Sequence, residues 1–100
     1  MFECGFIYVA GGLDPAVCRA VIPSENLNMT VIGCGSYAEA EEAAKELVAK
    51  GCDALELCAG FSNEGVARIQ KAVGPDVVVG AVRFDCHPAF GFKSGSSVFE

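Results

Sequence analysis

The sequence is poor in positive charge: 7 lysines and arginines stand against 13 aspartates and glutamates, for a net charge of −6. No basic patch appears along it, and non-specific nucleic-acid affinity rests on clustered Lys and Arg, so no nucleic-acid partner is expected. No apolar run approaches the ~20 residues of a membrane-spanning helix, and no membrane partner is expected either. The opening Met1-Phe2-Glu3-Cys4 lacks a basic region ahead of a hydrophobic one, unlike a secretory leader. A cytoplasmic location is the expectation. None of the six cysteines forms a Cys-x-x-Cys pair, and adjacent Cys86-His87 rarely bind one tetrahedral ion together. No metal and no cofactor are expected. Internal repeats and low-complexity segments are also missing.

What is present is a chain that folds. At 52% apolar and 20% charged residues the composition lies near the globular average and far from that of a disordered chain. One hundred residues make one small domain, which buries only about 60–70% of the unfolded chain's surface, so help from a partner chain is plausible. The cysteines lie in or beside predicted strands of a well-patterned chain, which fits reduced thiols better than a disulfide framework.

Periodicity and capping signals predict an α/β fold. Phe2 to Ala10, with Phe6-Ile7-Tyr8-Val9 apolar at both parities, reads as a strand buried on both sides and ended by Gly11-Gly12. Asp14-Pro15 opens a short helix to Ile22 in the preferred reading, with an extended run as the alternative, and Pro23 ends either. Met29 to Ile32 is a second strand. Ser36 and Glu39 form a capping box for a helix reaching Lys50, whose apolar stripe is Ala40, Ala43, Ala44, Leu47 and Val48. Ala54 to Cys58 is a third strand, Ser62 opens a helix with the stripe Val66, Ile69 and Val73, and Val77 to Val82 is a fourth strand. The expected fold is therefore a four-stranded, mostly parallel sheet with two main helices and a short first helix, as a domain over residues 1–85. An aromatic, Gly/Ser-rich tail over 86–100 docks on the domain or on a partner subunit. Both long helices fall on one face if the last three strands are adjacent. The other face then needs a cover, and a homo-oligomer is expected on this ground.

Chemistry is expected at the carboxyl ends of the strands, where open parallel sheets bind ligands. Glu56 sits inside a strand expected to be buried, where an ionisable group is paired, neutralised or used. Glu56 and Cys58 are the candidate catalytic residues, in acid–base or thiol chemistry. Arg83, Asp85, His87, Ser36 and Ser62 are the candidate ligand-binding residues. Glu56 and Arg83 face each other if their strands are neighbours, as a structural ion pair or as base and carboxylate anchor. Gly33-x-Gly35-x-x-Ala38 echoes a dinucleotide fingerprint, although the cap explains Ser36 and Glu39 better. The leading expectation is binding of a small anionic molecule at this edge. The alternatives are a small enzyme and an oligomerising module with no small-molecule site.

The segments Glu56-Leu57-Cys58-Ala59-Gly60-Phe61, Gly65-Val66-Ala67-Arg68 and Val79-Gly80-Ala81-Val82-Arg83-Phe84-Asp85, with Gly12-Leu13-Asp14-Pro15 and Arg19-Ala20-Val21-Ile22, cover most of the chain. With these the sequence resembles a family of short bacterial proteins of unknown function. The resemblance implies a compact stand-alone α/β domain and no established activity. The repeated strand-glycine-helix units are also similar to pieces of (β/α)-barrel enzymes, a likeness of architecture that transfers no residue role.

Overall fold

The computed structural model describes residues 1–84 and 86–100. It is an α/β fold with five strands in one mixed sheet. The strands are β1 (Phe2–Val9), β2 (Arg19–Pro23), β3 (Leu27–Cys34), β4 (Ala54–Leu57) and β5 (Val78–Ala81), in the order β2-β3-β1-β4-β5. β1, β3, β4 and β5 run parallel, and β2 pairs antiparallel with β3.

The expected short helix over 15–22 does not form, and this adds the fifth strand. Asp14 does cap a turn: its Oδ1 accepts from the Ala16 N–H at 2.9 Å, and its carbonyl accepts from Val17 and Cys18. The turn stops there. Arg19 to Pro23 then takes the extended alternative, because β-branched Val21 and Ile22 find a partner in β3 through a short hairpin. Proline at the end of an edge strand costs no ladder hydrogen bond on the solvent side.

Both long helices follow their signals. α1 (Tyr37–Ala49) is capped by Ser36, whose Oγ accepts from the Glu39 N–H at 3.2 Å. The Glu39 carboxylate reaches the Gly35 N–H at 2.7 Å rather than that of Ser36, so the capping box is displaced by one residue. Ala40, Ala43, Ala44 and Leu47 are buried as the stripe predicts. α2 (Asn63–Val73) is capped by Ser62 and closed by Gly74 at φ +86°. Arg68 of α2 donates to Glu41 of α1 at 2.6 Å, joining the helices side by side.

Both helices cover the same face of the sheet, where Ile7, Val9, Ile32, Leu55 and Leu57 meet Ala40, Leu47 and Ile69 in one core. Gly5, in the central strand, lets this happen. A Cβ there would stand 2.6 Å from Leu47 Cδ1 and 3.0 Å from Leu55 Cδ2. The opposite face carries two rows that run across all five strands. One is Ile22, Met29, Cys4, Ala54 and Val78, and the next is Ala20, Val31, Phe6, Glu56 and Gly80. No element of the described residues lies over them. Glu56, expected inside a strand buried on both sides, is accordingly exposed. Leu55 and Leu57 take the helix side, and Glu56, on the alternate parity, is left on the face that no helix covers.

Beyond β5 the chain forms a 3-10 turn (Pro88–Phe90) and a last helical turn, α3 (Ser96–Phe99). These fold back over the carboxyl ends of the strands. Among the described residues, no helix is long and apolar enough to cross a membrane.

Arg19 ties the edge strand to α1 by bonding both oxygens of Glu46, at 2.6 and 3.2 Å, with Lys50 at 3.1 Å from the same carboxylate. The hydrogen bonds from Arg19, then from Lys50, lower the Glu46 carboxyl from 4.5 to about 2. A depressed carboxyl contributes stability above its unfolded value and loses it as pH falls through the folded one. Because the group is partly solvated, Glu46→Gln should cost about 0.5–1 kcal/mol at pH 7. The gap to wild type should close between pH 4.5 and about 2, as followed by denaturant unfolding across that range.

Candidate functional site

The site begins at Tyr37. This residue opens α1, is fully buried, and stacks on Phe61 with ring centroids 5.3 Å apart. Its hydroxyl accepts from the Ser62 N–H at 2.9 Å and donates to the Gly60 carbonyl at 3.1 Å. One phenol thereby holds the strand-to-helix turn at the carboxyl end of β4. The turn leaves Ser62 free to cap α2, its Oγ accepting from the Gly65 N–H at 3.1 Å. Gly65 is small because the Tyr37 ring lies against it, Cζ standing 2.6 Å from where a Cβ would be.

The tail closes over this turn. Ser62 Oγ shares a short hydrogen bond with Ser96 Oγ, and Phe99 packs on Tyr37 and Phe90 at centroid distances of 6.1 and 4.9 Å. Gly95 sits where a Cβ would collide with the Gly60 carbonyl oxygen and the Tyr37 hydroxyl. Arg83 completes the rim: its Nη1 donates to the Phe61 carbonyl at 2.8 Å and its Nε to Asn63 Oδ1 at 2.9 Å. Ser62, Asn63, Glu64, Arg83, Ser94 and Ser96 line a cleft of about 210 Å³. At its lip Glu64 meets Glu100, and the hydrogen bond and charge of that neighbour raise the Glu64 carboxyl above its ordinary value.

Of the residues singled out from sequence, Ser62 and Arg83 come together here. Among the described residues, the others do not join them. Glu56 projects from the open face, and among the described residues it makes no hydrogen bond or ion pair, with Arg83 or any other group. Cys58 Sγ accepts from the backbone N–H groups of Val9 and Gly60 at 3.4 and 3.3 Å, and among the described residues no side chain is hydrogen-bonded to it. His87 caps the 3-10 turn, its Nδ1 accepting from the Ala89 N–H at 3.0 Å while its ring packs between Phe84 and Phe90. Ser36 is spent on its cap. Asp85 lies outside the described residues. The dinucleotide echo offers no phosphate cradle either: the Tyr8 ring and Leu13 fill the space over Gly33, and the Leu13 carbonyl and Glu39 carboxylate fill that over Gly35.

Sequence reasoning missed Tyr37, Asn63, Ser94 and Ser96. A tyrosine at the first position of a helix, with a glycine of the next helix the right size to receive it, was the available signal.

Cys4, Cys18, Cys34, Cys52 and Cys58 are free thiols. Burial pushes the Cys34 thiol up to about 11 and also raises Cys4 and Cys52, which keeps these groups protonated and inert. No group of three or more His, Cys, Asp or Glu among the described residues is placed to hold a metal ion. Larger grooves lie elsewhere. One of about 610 Å³ runs along the end of α2 and β5, and one of about 490 Å³ lies between residues 15–19 and α1, where the only cation, Arg19, is committed to Glu46.

Tyr37→Phe leaves the Ser62 N–H and the Gly60 carbonyl without their buried partner. It should cost about 1–3 kcal/mol in denaturant unfolding. Hydrogen exchange at the Ser62 and Gly65 amides should speed up beyond the global change.

No curated protein and no solved structure matches the chain at a significant level. A family model does, over residues 2–97, and the agreement spans every strand, both long helices and the cleft just described. The chain belongs to the family of unknown function DUF6506.

Proposed function

We propose that the protein binds a small anion in the cleft between the first turn of α2 and the tail. The observation that carries this reading is Arg83, a guanidinium anchored through Nε and one Nη at the rim. Two of its five N–H groups are occupied in this way, and among the described residues the rest of the fork is left for a ligand. Beside it are the hydroxyls of Ser94 and Ser96 and the positive end of an eleven-residue helix. The cleft is smaller than the ~300 Å³ at which pockets for drug-sized ligands begin, which favours a ligand of acetate or phosphate size. Glu64 faces the same space and opposes the anion while it is charged.

Titration with acetate and with inorganic phosphate, followed by amide NMR shifts at low ionic strength, tests the reading. Saturable shifts at residues 62–65 and 94–96 are expected, and Arg83→Gln should weaken them at least tenfold. Because the Glu64 carboxyl is raised, it takes up its proton at a higher pH than an ordinary glutamate. Acetate binding should therefore tighten as pH falls towards the range in which Glu64 takes up its proton. Shifts that do not saturate, or that survive in Arg83→Gln, would overturn the proposal.

A further inference from the structure

The geometry points to a second function for the opposite side of the sheet: we propose that two copies of this chain associate through the open face. The two rows across that face contain a single charged side chain, Glu56. All seven basic residues lie elsewhere, on the helices, at the sheet's carboxyl edge, in the tail, or, for Arg19, on the helix side of β2. The face is not polar enough to be a solvent surface. Val78 is 70% exposed and Ile22 59%, at opposite edges of the same row, and Phe2 and Val82 extend the patch along the strands.

Nothing within the described chain is left to cover it. Residues 14–18 form a tight turn, β2 extends the sheet in its own plane, and the tail is committed to the carboxyl edge through Phe99 and Gly95. Five strands about 4.8 Å apart, averaging about six residues at ~3.3 Å each, give a face of roughly 450 Å² in projection. That is more than half of the ~800 Å² that each partner contributes to a standard-size interface, and exposed Phe2 and Val82 add to it at the rim. An apolar patch of this size is as large as the largest on a typical soluble monomer, and such patches are often functional.

A second copy is the occupant that this chemistry fits. With no Lys or Arg on it, the face has nothing to engage a phosphate backbone or an anionic lipid surface. Apart from Glu56, it is self-complementary, apolar residue on apolar residue, as a two-fold interface requires. Two such faces stack about 10 Å apart with their strands near −30°, a packing that domain cores already use.

Sedimentation equilibrium of the full chain between 1 and 200 µM is the test. Wild type is expected to reach twice the 10.4 kDa chain mass within this range. Ile22→Asp and Val78→Asp change side chains that are exposed in the single chain, so both variants should keep the wild-type circular dichroism. Each should raise the dissociation constant at least tenfold. A wild type that stays at the single-chain mass at 200 µM overturns the proposal. So does a dimer that either variant leaves intact, since pairing through the free edge of β2 would respond to Ile22→Asp alone and pairing through the free edge of β5 to Val78→Asp alone.

Discussion

Two helices cannot cover two faces of this sheet, and most of the molecule's character follows from that. The chain passes from β3 over β1 to β4, then from β4 to β5, moving both times in the same direction across the sheet. Parallel crossovers are right-handed, so successive moves in one direction put both helices on one side. The side they choose receives Ile7, Ile32, Leu55 and Leu57 and becomes the core. The far side keeps the alternate residues of the same strands, which are nearly as apolar.

The same geometry creates the cleft at the carboxyl ends. With both helices starting on one side, the first turns of α1 and α2 stand next to each other, and Tyr37 at the start of one reaches the turn before the other. The tail then packs on the ring that this contact has already buried. Arg83 is positioned by two bonds on the same turn, one to the Phe61 carbonyl and one to the Asn63 side chain. The cleft is thus a by-product of how the helices begin, and its polar lining comes from capping residues and a serine-rich return of the chain.

Local signals in the sequence were faithful wherever a local interaction decided the outcome. Ser36 and Ser62 cap helices, the alanine stripe of α1 is buried, and Ser62 and Arg83 meet at one edge. Signals failed where distance decided. Asp14-Pro15 makes the turn it promises, but whether Arg19 to Pro23 continues as helix or strand depends on β3 lying alongside. The central place of β1, between β3 and β4, left no trace in the order of the chain. Glu56 was misplaced for another reason: a parallel strand was expected to be covered on both faces, whereas Leu55 and Leu57 alone take the helix side and Glu56, on the alternate parity, faces out.

The central place of β1 also bears on how the molecule assembles. Its two neighbours, β3 and β4, are made later, and β4 ends at Leu57. Until that residue is available the strand has at most one side paired and no finished core to enter. Parallel pairing over such separations pays its loop-closure entropy before any contact repays it, which makes folding slow relative to helical proteins of this size. During that interval the stretch Phe2 to Val9, with Phe2, Phe6 and Tyr8, is exposed on a growing chain, and Gly5 within it interrupts the continuous β-prone run that would aggregate most readily.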